Sequence, residues 1–172
     1  MSILTRGEIL KEIKKGRIKI EPFDESKVGP GSMDLHLGNE FRIFKKVHNV
    51  VHVSEKTSHE QVTEVIKVKK YFVLMPGETI LGITREKITL PSDICGWLEG
   101  RSRFARFGLL VHISASFMHP GIANHQVLEI SNFSPMPLAI YPGTSICQFI
   151  FQRTVGKAKY HGKYKAQDET NF

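Results

Sequence analysis

Only two cysteines and one tryptophan occur among the 172 residues. Cys95 and Cys147 both sit inside apolar runs, where small core residues are the natural reading and neither a disulfide nor a reactive thiol is expected. No apolar run approaches the roughly 18 residues of a membrane span. The opening Met1-Ser2-Ile3-Leu4-Thr5-Arg6 lacks the long apolar stretch of a secretory signal. A membrane partner is set aside on these grounds, and a cytoplasmic location is expected. The common catalytic motifs are missing as well. No H-x-E segment is followed by P-C-x-x-C, so a zinc deaminase is not expected. The eight histidines are dispersed without H-E-x-x-H spacing, and no Walker loop, G-x-G-x-x-G or G-x-S-x-G occurs. With no helix-turn-helix pattern, RRM aromatic motif or dense basic stripe, a nucleic-acid partner is not expected either.

What is present suits one domain over residues 1–172, since 41% of the residues are hydrophobic and a chain of this length can bury a core without metals or disulfides. The net charge of +7, from 24 Lys and Arg against 17 acids, favours an anionic partner. Lysine pairs such as Lys14-Lys15 and Lys69-Lys70 read as solvated surface. Arg101, Arg103 and Arg106 differ, because they follow Gly100 and enclose Ser102 within a short span. That spacing suits phosphate.

Thr5-Arg6-Gly7-Glu8 reads as a capping box opening one short helix, with Ile9, Leu10 and Ile13 as its apolar stripe and Gly16 at its end. After it the period changes to two. Met33, Leu35 and Leu37 alternate with Asp34 and His36, and strand-like runs follow at residues 50–53, 62–68 and 71–74. Leu74-Met75-Pro76-Gly77-Glu78-Thr79-Ile80 and Ile140-Tyr141-Pro142-Gly143-Thr144-Ser145-Ile146 share one pattern, which predicts two equivalent hairpins. The expected fold is mainly β, a jelly-roll or distorted β-barrel with a short N-terminal helix. Residues 52–63 read as an exposed loop, and residues 154–172, basic and strand-poor, as a mobile C-terminal tail.

One strand carries an unusual charge. In Gln126-Val127-Leu128-Glu129-Ile130-Ser131-Asn132 alternation puts Val127 and Glu129 on one face. A Glu there is a structural ion-pair partner, an acid on the wet face of an antiparallel sheet, or a proton-transfer group balanced between burial and a nearby Arg.

The segment Gly100-Arg101-Ser102-Arg103-Phe104-Ala105-Arg106-Phe107-Gly108-Leu109, followed by Val111-His112-Ile113-Ser114-Ala115, Pro120-Gly121 and Val127-Leu128-Glu129, resembles the signature of the dCTP deaminase family within the dUTPase-like superfamily. Val28-Gly29-Pro30-Gly31-Ser32-Met33-Asp34 upstream resembles that family, as do Tyr141-Pro142-Gly143, Ile146-Cys147-Gln148 and Gly162-Lys163-Tyr164-Lys165-Ala166-Gln167 downstream. The resemblance implies metal-independent deamination of dCTP to dUTP and ammonia, a step in pyrimidine deoxynucleotide synthesis. Glu129 is implied as general base and acid. Ser102 and the main-chain carbonyl of Ala115 are implied to hold the attacking water, and Arg106 to orient Glu129. Substrate contacts are implied for Arg101, Ser102, Arg103, Arg106, His119, Val127, Gln148, Tyr160, Lys163 and Gln167. Mg²⁺ is expected on the triphosphate, with no zinc and no protein metal ligands. A homotrimer with sites at subunit interfaces is implied, closed by the tail over residues 154–172.

Three positions depart from the family pattern. Arg103 stands where a second serine is usual, His119 where an Asp normally precedes Pro-Gly, and Ala166 where a glycine is usual. An imidazole is a poorer water-activating base than a carboxylate, so His119 disfavours hydrolysis of the phosphate chain more than deamination. The alternatives are a dUTP pyrophosphatase, a bifunctional deaminase and pyrophosphatase, and a nucleotide-binding paralogue without activity.

Overall fold

A computed structural model of the chain describes residues 2–46, 49–165, 167–168 and 172. Helix α1 (Arg6–Lys14) forms where the apolar stripe predicts it, burying Ile9 and packing Leu10 and Ile13 against the core. The capping box does not form. Thr5 holds the extended N-cap backbone, but its side chain makes no capping bond, and Glu8 instead meets Lys11 at 3.2 Å and Arg153 at 3.3 Å. Gly16, at φ +68°, ends the helix in the left-handed conformation that a side chain would disfavour.

Strands follow as β1 (Lys19–Glu21), β2 (Met33–Phe44), β3 (Thr63–Lys67), β4 (Phe72–Leu74), β5 (Thr79–Thr89) and β6 (Ile94–Gly100). After the short helix α2 (Ser102–Ala105) come β7 (Leu109–Leu110), β8 (Phe117–Met118), β9 (Ala123–Asn132), β10 (Leu138–Ile140) and β11 (Ser145–Arg153). The main sheet runs β7-β9-β5-β2-β11-β6-β8, with β1 added on β5 and β3 on β2, all antiparallel. The fold is therefore mainly β, one curled sheet around an apolar interior. Alternation dictates which face looks inward. Met33, Leu35 and Leu37 of β2, Leu128 and Ile130 of β9, and Phe149 and Phe151 of β11 are all buried. Cys95 and Cys147 are free and buried, and burial pushes both thiols up, away from reactivity.

The two Pro-Gly turns are equivalent, as their sequences predict, but they are corners and not hairpins. β4 pairs with β10, through Leu74↔Leu138 and Phe72↔Ile140, in a separate two-stranded sheet. Each chain then turns at Gly77 (φ +77°) or Gly143 (φ +81°) into β5 or β11 of the main sheet. Local turn chemistry shows where a chain reverses; which strand it then pairs with is a tertiary matter. The β-branched run at residues 50–53 is likewise not a strand. Val50 and Val53 are 81% and 91% exposed.

β9 positions the candidate site. β5 pairs along one of its edges. The other edge is shared: β7 holds its C-terminal end, at Asn132 and Ser131, while the tail lies along its start. There Ala123 and His125 donate main-chain N–H groups to the carbonyls of Lys165 (3.3 Å) and Gln167 (3.0 Å), and Asn124 Nδ2 donates to the Tyr164 carbonyl (2.7 Å). Between these two partners the edge of β9 at Val127 and Glu129 has no strand beside it among the described residues.

Candidate active site

A cavity of about 650 Å³ opens beside that gap. Its floor comes from one face of two adjacent strands, Thr79 and Leu81 of β5 and Val127, Glu129 and Ser131 of β9, in register as Thr79↔Ser131 and Leu81↔Glu129. The bend between β7 and β8 supplies a wall from His112 to Ala115, and Tyr164 and Gln167 of the tail close another side. Glu129 is half-buried here, while the alternate residues Leu128 and Ile130 fill the core. Its Oε2 accepts two hydrogen bonds from Ser114, one from the main-chain N–H (3.1 Å) and one from the hydroxyl (3.0 Å). Both ring nitrogens of His112 are buried without a hydrogen-bond partner among the described residues. A buried polar group in that state is costly unless water or a ligand satisfies it.

A second cavity, about 420 Å³, lies where β2, β11 and the end of β6 meet, around Gly29, Ser32, Asp34, Arg101, Ser102, Arg103 and Gln148. Arg101 is fixed there from two sides, by Asp34 Oδ2 at 2.8 Å from Nη2 and by the Ser145 carbonyl, which accepts from Nη1 at 2.7 Å. Gln148 Oε1 accepts from the Ser32 hydroxyl (2.7 Å), and its Nε2 donates to the Gly100 carbonyl (3.2 Å). Ser102 and Arg103 stand exposed on α2, so the second cavity joins a held cation, a cation with no ion pair among the described residues, and hydroxyls in a setting suited to an anionic group.

The residues singled out in the sequence thus fall into three places. Glu129, Ala115, Val127 and Gln167 line the first cavity, and Arg101, Ser102, Arg103 and Gln148 the second; the two share no lining residue. Arg106, His119, Tyr160 and Lys163 line neither. Arg106, exposed at the end of α2, forms no ion pair among the described residues, so within one chain it does not orient Glu129. His119 stacks on Tyr160, rings parallel to within 2° and 4.9 Å apart, and meets the edge of Phe117. Lys163 Nζ sits over the Tyr164 ring at 5.5 Å. Ala166 lies outside the described residues. Sequence reasoning missed the roles of Ser114, His112 and Asp34. Asp34 left a trace, a carboxylate on the outward side of a strongly alternating strand; the contact of Ser114 with Glu129 spans 15 positions and left none.

A family model described as dCTP deaminase-like matches residues 3–154. A protein of Nocardioides sp. named "dCTP deaminase, dUMP-forming" is 37% identical over 174 residues, covering 96% of this chain and 91% of its own. One of the same name from Mycolicibacterium vanbaalenii is 39% identical over 160 residues, covering 92% and 84%. Among solved structures, 2'-deoxycytidine 5'-triphosphate deaminase from Agrobacterium tumefaciens matches with a TM-score of 0.70 at 21% identity, over 88% of this chain and 48% of that one. The chain spans about half the length of that protein, and the likeness is one of fold.

Proposed function

Because the chain belongs to the dCTP deaminase-like family, with its family match over residues 3–154, we propose that it deaminates dCTP hydrolytically, with Glu129 moving the protons. The observation that carries this reading is a carboxylate standing at the gap in the edge of β9 and opening on a cavity large enough for a pyrimidine. In the proposed step a water oxygen bonds carbon 4 of the cytosine while Glu129 takes a proton from it. The same carboxyl delivers a proton to the exocyclic nitrogen, the carbon–nitrogen bond breaks, and ammonia leaves. The Ala115 carbonyl, on the wall of the same cavity, is assigned to hold the water.

Phosphate recognition is assigned to the second cavity, with Arg101, Ser102 and Arg103. Its separation from Glu129 supports a site completed between copies of the chain, in which Ser102 and Arg106 of one copy face Glu129 of the next. We take the assembly to be the homotrimer expected from the sequence, with the tail over residues 154–172 closing each site. Mg²⁺ would arrive on the triphosphate and screen its charge. The Asp34 carboxylate beside the second cavity is engaged by Arg101, so coordination falls to phosphate and water oxygens.

The end product proposed is dUMP, one step beyond the dUTP expected from the sequence. The relatives support this revision: proteins 37% and 39% identical to the chain are named dUMP-forming. Deamination is followed, in this reading and against the expectation drawn from His119, by attack of a second water on the phosphate chain, releasing pyrophosphate. The test is to incubate the protein with dCTP and Mg²⁺, assay ammonia, and resolve dUTP, dUMP and pyrophosphate by ion-exchange chromatography. Ammonia with dUMP and pyrophosphate is the expected result. Ammonia with accumulating dUTP restores the simpler product; absence of ammonia overturns the deaminase reading.

A further inference from the structure

We infer that Ser114 is a positioning residue that selects which oxygen of Glu129 takes part in proton transfer. The inference rests on the reading that Glu129 is the base. The bend over residues 113–115 is pinned on both flanks. On one, Leu110 of β7 pairs with Ser131 of β9. On the other, Leu98 donates its N–H to the Ser116 carbonyl at 3.0 Å, and β8 pairs with Gly96 and Trp97 of β6. Between the flanks Ile113, Ser114 and Ala115 are all exposed, so burial does not hold the bend in place. What ties its middle to the sheet is the pair of hydrogen bonds from Ser114 to Glu129.

Both bonds fall on one atom. The main-chain N–H at 3.1 Å and the hydroxyl at 3.0 Å converge on Oε2. A carboxylate oxygen has two good acceptor directions, so Oε2 is satisfied, while Oε1 accepts no hydrogen bond among the described residues. Charge drawn toward the two donors leaves Oε1 the more available oxygen for the proton of an attacking water. Ser114 also precedes Ala115 directly, whose carbonyl is assigned to the same water. One dipeptide therefore sets both the orientation of the base and the place of the water acceptor, and a flexible Glu side chain is held in one geometry before substrate arrives.

The measurement is steady-state kinetics of dCTP deamination for the parent, Ser114→Ala, Ser114→Thr and Glu129→Gln proteins, with thermal midpoints recorded for each. Ser114→Ala keeps the main-chain donor and loses the hydroxyl, so kcat is expected to fall about 10-fold with KM unchanged and the midpoint unmoved. Ser114→Thr, which restores a hydroxyl, is expected to recover most of the loss. A parent-like kcat in Ser114→Ala, a change confined to KM, or a loss that Thr fails to repair would overturn the inference. Glu129→Gln separates the two levels. Activity retained there defeats the assignment of the base, whereas an inactive Glu129→Gln beside an unaffected Ser114→Ala defeats only the role of Ser114.

Discussion

Two clusters of charge on this molecule are built on opposite plans. Around α1 every carboxylate has its complement. Buried Glu12 receives Arg17 at 2.6 Å and Arg153 at 2.9 Å; Arg17 reaches on to Asp93 at 2.8 Å, and Arg153 to Glu8 at 3.3 Å. Helix, β11 and the turn before β6 are thereby fastened together. At the two cavities, Glu129 and Arg103 form no ion pair among the described residues. Saturated charges fix a structure, because each is already solvated by its partner, while charges left open beside a cavity are available to a ligand. Arg101 belongs to both plans: Asp34 holds it, yet it still lines the second cavity.

Breaking the site should change turnover and spare stability, while breaking the clasp should do the reverse. The largest expected effect is Glu129→Gln, which removes the proton acceptor with little change in shape. Deamination should drop roughly 10³-fold with the thermal midpoint unchanged, as ammonia release and scanning calorimetry would show. Next is Arg101→Gln. It leaves Asp34 unpaired and takes one guanidinium from the proposed phosphate cavity, so KM for dCTP should rise by roughly 30-fold, with a smaller effect on kcat. Glu12→Gln is the contrasting case, since it removes the negative charge that Arg17 and Arg153 share and leaves them one amide oxygen in place of two carboxylate oxygens. Both arginines are 39% exposed and partly solvated, so the cost should be about 2 kcal/mol in urea unfolding, with kcat and KM close to the parent values.

The smallest effect is the pH dependence of the clasp. Burial alone would raise the Glu12 carboxyl, but hydrogen bonds from Arg153 and Arg17 outweigh it and hold the group below its ordinary 4.5. Arg17 likewise holds Asp93 below 3.8. A carboxyl lowered on folding contributes stability that is complete above its unfolded value and is lost as pH falls through its folded one. The thermal midpoint should therefore be level toward neutrality and fall below about pH 4.5. In Glu12→Gln that fall should be shallower.

The two clusters were not equally legible in the sequence. Helix α1, the alternating faces of β2 and β9, and the chain reversals at Gly77 and Gly143 follow from periods and turn chemistry confined to a few residues. Glu129 was visible because it interrupts a strand, and Arg101, Ser102 and Arg103 because they crowd a short span. The clasp joins positions such as Glu12 and Arg153, 141 residues apart, and no local pattern announces it. The same limit hid the tie from Ser114 to Glu129 and turned the expected hairpins into corners, since partners there are chosen by the assembled sheet. Family resemblance implied what spacing could not, a single site for Glu129 and Ser102, and the folded chain divides those residues between separate cavities.

That division makes the central claim directly testable by mixing two inactive proteins. Glu129→Gln and Ser102→Ala, each expected to be nearly inactive alone, would be co-expressed with different affinity tags and the doubly tagged assemblies assayed for ammonia release from dCTP. A site shared across subunits predicts recovered activity, because Glu129 of one chain meets Ser102 of its neighbour. Mixed assemblies as inactive as either parent would contradict it.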